Sequence, residues 1–329
     1  MERLKNIVRE KLRLSAEENP KISYLGGMTN KNYLVETSQD KYVLRIPGAM
    51  TDSLINRHNE SINSVLVANI GINVETLHFD NRSGIKLTKF LEDSETLCHQ
   101  SIKKKIHLSN IAKKLRSLHL STIKFENEFN IFVEFERYFN LLKNKNVLYK
   151  SHSNINELIS LFYSFKNILN QPNLLVPCHN DLVPENILVK GNSYYFIDWE
   201  YSGMNNLIFD LAAFCLEAIL SEEEQRFFIK EYFKNESLDH TALFQQLLAF
   251  QMGQDLLWFV WTLVKEENNE FFGDYAKKRI DRAIKTMNTI VSQSVSQSVS
   301  QSVSQSVSQS VSQSVSQSVS QSKSTRLWD

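Results

Sequence analysis

Along the first ninety residues, apolar and polar positions trade places in short β-prone bursts. "ISYLGG", "KNYLVET" and "KYVLRIP" are separated by Gly-Gly or by the polar turn "SQD", which predicts consecutive antiparallel strands. A helical stretch follows from about Asp52 to Asn69, with Gly71 as its C-terminal stop. The runs "ETLHF" and "GIKLTKFL" complete a small sheet. After Glu92 the apolar period lengthens: "SIKKKIHLSNIAKKLRSLHL", "FNIFVEFERYFNLLKN" and "NINELISLFYSFKNIL" all read as helices. One interruption falls between Cys178 and Trp199, where a polar loop precedes two β runs, "NILVK" and "YYFIDW", joined by "GNS".

Late in the helical part, "QDLLWFVWTLVKEE" places Trp258 and Trp261 three residues apart on one helix side. Its run between charged residues covers nine positions, Leu256 to Val264, all apolar but Thr262; a spanning helix takes about 20, which argues against a membrane segment. Core packing and the wall of a ligand pocket both remain open for the two rings.

Composition narrows the classes. The 329 residues carry 37 basic and 37 acidic side chains, so no net field favours nucleic acid or anionic lipid. The N-terminal "MERLKNIVREKLRLS" has no apolar core of the signal-peptide kind. Three widely spaced cysteines, Cys98, Cys178 and Cys215, with no CxxC, point to a reducing cytoplasm and to neither a disulfide framework nor a zinc site.

From Val291 to Ser322 the chain is "VSQS" repeated eight times. One valine in four buries no core, so a disordered tail is expected. The tetranucleotide AGTC, read in triplets, encodes the same peptide in every frame. Slippage in such a tract leaves residues 1–290 intact and replaces only the ending "KSTRLWD". A twelve-nucleotide repeat encodes the same peptide.

The polar loop carries the chemistry. In "VPCHNDLVPENILVKGNSYYFIDWEYSG", His179-x-Asp181-x4-Asn186 is followed, after a hairpin, by Asp198. Phosphoryl transfer needs this set: a carboxylate at the acceptor hydroxyl, and an amide oxygen with a second carboxylate to hold Mg²⁺ against nucleotide phosphates.

Together with "LGGMTNKNYLVE", "YVLRIPG", "INRHNE", "FDLAAF" and "WFVW…GDYAKKR", this loop resembles the choline kinase and aminoglycoside phosphotransferase superfamily, above all the bacterial LicA-type choline kinases. The resemblance covers residues 20–285. It implies an α+β, two-lobed protein-kinase-like fold: an antiparallel N-terminal lobe (1–91), a mainly helical C-terminal lobe (92–290) and the repeat tail (291–329). By it, Asp181 is the catalytic base, His179 braces the loop beside it, Asn186 and Asp198 hold Mg²⁺ with help from Glu200, and Asp210 braces the catalytic loop. ATP phosphates meet the turn of Gly26 and Gly27 and the amides of Met28, Thr29 and Asn30. Arg45 reaches them from its strand, oriented by Glu60, and adenine lies against the backbone of Lys89, Phe90, Leu91 and Glu92.

Asn180 stands where regulated protein kinases carry arginine, and "DWE" replaces Asp-Phe-Gly, which favours a small-molecule acceptor. A quaternary ammonium offers no N–H, so its recognition rests on aromatic faces plus a carboxylate. Trp258 and Trp261 supply faces, and the resemblance adds Tyr201, Tyr275 and Glu217. It thus implies a cytoplasmic, ATP- and Mg²⁺-dependent choline kinase that serves a surface glycan. It implies neither nucleic-acid binding nor membrane insertion, and it does not set the oligomeric state. Ethanolamine, thiamine or an aminoglycoside is the alternative acceptor, and a non-catalytic kinase-fold binding protein is the alternative class. Truncation after Ile290 is expected to leave melting temperature and kcat/KM unchanged, since the repeat offers no apolar face. A large drop in either shows that it packs on the enzyme.

Overall fold

The computed structural model describes residues 1–15, 17–48, 51–171, 175–234 and 239–295. It opens with a helix absent from the strand-rich expectation, α1 (Glu2–Leu12). Leu4, Ile7, Val8 and Leu12 share one helical face and pack on Val35, Leu44 and Leu87; the charges between them hide that period in a short window.

Five strands follow: β1 (Lys21–Gly26), β2 (Lys31–Glu36), β3 (Lys41–Ile46), β4 (Thr76–Phe79) and β5 (Lys86–Lys89). They form one antiparallel sheet in the order β1-β2-β3-β5-β4. The expected single helix from Asp52 is two, α2 (Thr51–Leu54) and α3 (Arg57–Asn69). Asn56 causes the break: its backbone is extended and its side chain accepts the Asn59 N–H at 3.1 Å, an N-cap that starts a new helix. At the other end Gly71 (φ +69°) turns the chain back.

The second lobe contains β6 (Glu95–Thr96), α4 (Lys105–His119), α5 (Ile131–Leu141), α6 (Asn146–Tyr149), α7 (Ile155–Ser164) and α8 (Lys166–Leu169). Then come β7 (Leu175–Cys178), the hairpin β8 (Ile187–Lys190) and β9 (Ser193–Phe196), β10 (Gly203–Asn206), α9 (Leu207–Glu217), α10 (Glu222–Phe233) and α11 (His240–Glu266). A last helix, α12, runs over residues 275–295. β7 pairs with β10, so Cys178 faces Gly203 and the segment between is tied at both ends. The first five residues of the tail, 291–295, are helical, and the rest of the expected disorder lies outside the described residues.

With 27 residues, α11 is long and apolar enough to cross a membrane, so the length argument from nine residues does not hold. Burial decides the matter: 94% of its apolar window lies inside the protein, and α11 packs on α5 and α9 as the axis of the helical core. Gly253 on α11 sits where an added Cβ would lie 2.9 Å from both Ile131 Cδ1 and the Phe162 ring. Gly253→Ala is therefore expected to cost about 1–3 kcal/mol by overpacking, less a gain of up to about 1 kcal/mol in helix propensity. Chemical denaturation checks the net loss.

Candidate active site

Asp210 on α9 is fully buried and accepts the backbone N–H groups of His179 (2.8 Å) and Asn180 (2.7 Å), with His119 Nε2 at 3.1 Å. Burial pushes its carboxyl up, but the hydrogen bonds from His119 and from the His179 amide outweigh that and hold it below the ordinary value. The loop beyond β7 is thereby fixed. His179 Nε2 donates to Ile197 O at 2.9 Å, and its Nδ1 accepts the Asp181 N–H at 3.2 Å, so the ring is the neutral tautomer. Burial lowers its pKa further. His179 lies behind the loop and does not line the cleft, which leaves it bracing and no place at the reacting atoms.

Asn180, in the left-handed region (φ +65°), spans to the next loop. Its Nδ2 donates to Tyr201 O at 3.0 Å and its Oδ1 accepts from Asn205 Nδ2 at 2.8 Å. In the sequence it stood out only as a missing arginine. Asn186 Nδ2 donates to Asp181 O at 3.0 Å, which commits the nitrogen and leaves the amide oxygen as a donor atom for a cation. Asp181, Asn186, Asp198 and Glu200 all line one cleft of about 800 Å³ that runs between the lobes. Burial, then the charges of Asp198, Glu200 and Glu217, push the Asp181 carboxyl well above its usual range, and Arg279 opposes them.

On the N-terminal side, Arg45 forms a two-pronged pair with Glu60 (2.5 and 3.0 Å) and reaches Asp198 Oδ1 at 3.1 Å. Two cations that went unread in the sequence join them. Arg57 contacts Glu60 at 2.7 Å and Glu200 at 3.3 Å, and Lys86, paired with Arg45 across the sheet, lies 3.7 Å from Glu60. Burial pushes the Glu60 carboxyl up, yet Arg45, Lys86 and Arg57 bring it down to about 2. Burial and Asp198 raise Glu200 to about 7, although Asn30 Nδ2 donates to it at 3.0 Å. Glu200 is thus held by protein partners, and the freer oxygens belong to Asp198 and Asn186.

At the Gly-Gly turn, Gly27 has φ +133° and a Cβ there would fall 1.8 Å from Asn30 O. The amides of Met28, Thr29 and Asn30 make no hydrogen bond within the described residues, a set of donors suited to phosphate oxygens. Lys89, Phe90 and Leu91 line the cleft as expected of a base-binding segment. Their amides are not equivalent, however: Lys89 N–H is bonded to Glu75 O and Phe90 N–H to Lys41 O, each at 3.0 Å. The sheet consumes those two, which leaves the Leu91 amide as the one of the three with no hydrogen bond among the described residues.

The far end of the same cleft is aromatic. Tyr201 meets Trp258 edge-on at 5.0 Å, Trp258 meets Trp261 edge-on at 6.3 Å, and Tyr275 and Glu217 complete the wall. At this end, Arg279 is the cleft residue that the sequence did not reveal. Its guanidinium makes a two-pronged pair with Glu217 (2.5 and 3.0 Å), lies over the Tyr275 ring at 4.6 Å and donates to the Tyr275 hydroxyl. Glu217 is therefore already paired, and one face of Tyr275 is taken. The i, i+4 spacing of Tyr275 and Arg279 in "GDYAKKR" was the available signal.

A small antiparallel lobe, a helical lobe and a carboxylate-lined cleft between them define a kinase-fold phosphotransferase that uses a nucleotide. Residues 22–285 match the family model described as choline/ethanolamine kinase, and the chain belongs to that family. Protein LicA of Haemophilus influenzae is 44% identical over 267 residues, 80% of this chain and 100% of that one. Among solved structures, choline kinase LicA from Streptococcus pneumoniae superposes with a TM-score of 0.75 at 34% identity, covering 87% of this chain and 99% of that one. LicA in complex with AMP gives 0.74 at 34% identity, again over 87% of this chain and 99% of that one.

Glu60→Gln is expected to destabilise the fold by about 3–5 kcal/mol, because it leaves buried cations without their shared carboxylate. The folded pKa near 2 lies below the ordinary 4.5. This stabilisation is therefore complete above about pH 4.5 and lost as pH falls toward 2. Melting curves of both proteins from pH 7 to pH 3 should converge; parallel curves would remove Glu60 from that role.

Proposed function

We propose that the protein is a cytoplasmic choline kinase, transferring the γ-phosphoryl group of ATP to the choline hydroxyl. The products are phosphocholine and ADP. The observation that carries this reading is the continuity of one cleft, from the phosphate-binding turn past Asp181 to the wall of Tyr201, Trp258, Trp261 and Tyr275. The relatives named choline kinase support it, and the repeat's compatibility with slippage supports a product bound for a variable surface glycan.

Asp181 accepts the hydroxyl proton as the acceptor oxygen bonds to phosphorus and the bond to ADP breaks. Asn186 and Asp198 would hold Mg²⁺, a hard cation that takes oxygen donors and offsets phosphate charge; Glu200 orients this edge through Asn30 and Arg57. The Gly27 turn and Arg45 bind the phosphates, and Leu91 the base. Trp258 and Trp261 exclude water and present faces to the trimethylammonium group. We assign residues 1–91 to nucleotide binding, 92–290 to catalysis and acceptor binding, and 291–329 to the tail.

Asp181→Ala should lose at least about two orders of magnitude in kcat while nucleotide binding survives; near-normal turnover refutes its role as base. Truncating Trp258 to Ala removes a contact of about 2 kcal/mol, so choline KM should rise about tenfold and ethanolamine KM less. A purely structural ring would instead cost about 3–5 kcal/mol of stability and leave the ratio of the two acceptors unchanged.

A further inference from the structure

Behind the aromatic wall lies a four-membered charge network. Asp255, on α11 and fully buried, accepts Arg282 Nε at 2.7 Å and Nη2 at 2.6 Å, and Arg279 Nη1 at 3.0 Å. Arg279 also pairs with Glu217, and Arg282 reaches Glu217 Oε1 at 3.3 Å. Two carboxylates thus face two guanidinium groups. Glu217 and Arg279 line the acceptor end of the cleft, whereas Asp255 and Arg282 do not.

This arrangement answers a problem that the proposed substrate raises. A permanently cationic acceptor would enter a pocket whose wall carries a buried arginine. Glu217 cancels one guanidinium, but a second stands behind it. Without Asp255 the network carries one net positive charge, close enough to the pocket to oppose a cation in a medium of low dielectric. Burial pushes the Asp255 carboxyl above its ordinary value, and the Arg282 hydrogen bonds and the charges of both arginines offset only part of that push. Its three guanidinium hydrogen bonds mark it as a carboxylate.

We propose that Asp255 and Arg282 are charge-setting positioning residues of the acceptor pocket, with Asp255 making the network neutral so that a quaternary ammonium can bind beside Arg279. This rests on the reading of that pocket as a choline site. It assigns specificity to two residues that touch no substrate.

The test uses the full chain as wild type, Asp255→Asn, Arg282→Gln and the double variant. Each is assayed for choline KM and kcat, for melting temperature, and for inhibition by 3,3-dimethylbutan-1-ol, the uncharged carbon isostere of choline. Asp255→Asn should raise choline KM about tenfold, with the isostere's inhibition constant changed less than about twofold. Arg282→Gln removes a positive charge and should leave choline KM unchanged or lower. The double variant is neutral again and should recover most of the loss. Equal weakening of choline and isostere, or a double variant worse than Asp255→Asn, overturns the proposal in favour of packing. An Asp255→Asn protein that does not fold leaves the decision to Arg282→Gln and the double variant: raised choline KM in both refutes the charge argument. Wild-type protein that binds the isostere as tightly as choline refutes the pocket reading, and the proposal with it. A wild type that prefers choline, with Asp255→Asn unaltered, overturns the proposal alone.

Discussion

The cleft hangs from the Asp210 carboxylate. Two consecutive amides, those of His179 and Asn180, point at its two oxygens, and a buried carboxylate is tolerable only when hydrogen-bonded in this way. Each residue so fixed passes the constraint on. His179 holds Ile197, the neighbour of Asp198. Asn180 holds Tyr201 and Asn205, so the segment that ends at the aromatic wall is tied to the segment that carries Asp181. Asn180 and Asp198 both have positive φ, a strained choice for side chains other than glycine. The hydrogen bonds around Asp210 and Ile197 over-determine the loop enough to keep it.

Both ends of the cleft obey the same rule about buried charge, with opposite consequences. The N-terminal cluster sets Arg45, Arg57 and Lys86 against Glu60, Asp198 and Glu200. On the proposed reading, phosphates meeting Arg45 and a cation meeting Asp198 would exchange partners with groups that are already paired. The network of Glu217, Asp255, Arg279 and Arg282 is closed on itself. Its balance shapes the potential of the pocket without any group having to let go.

What could be read from the chain followed the range of each interaction. Strands β1 to β5 and the hairpin of β8 and β9 have local alternation and were legible, as were Asp181, Asn186 and Asp198, which stand at short spacing around that hairpin. Helix α1 was not, since its apolar face is four residues among seven others. The break at Asn56 depends on one capping side chain inside a helical pattern. The pairing of β7 with β10 joins segments that share no periodic signal. Arg57, Lys86, Arg279 and Asp255 were invisible for a further reason: a charged residue reads as surface until its partner elsewhere in the chain is known, and Glu200 stands 143 residues from Arg57 and Glu217 62 from Arg279.

The two tryptophans show why core and wall were false alternatives. Trp258 is 8% exposed and Trp261 5%, so both rings are packed by any measure. Trp261 lies against Phe272 and Trp258 against Tyr201. A ring that recognises a cation must be held rigidly, because a mobile face loses in ordering entropy what it gains in attraction. Burying most of each ring in α11's core fixes its orientation, and the small remaining surface lines the cleft. The helix that anchors the C-terminal lobe is therefore also the one that can define an acceptor, and its apolar length serves both tasks.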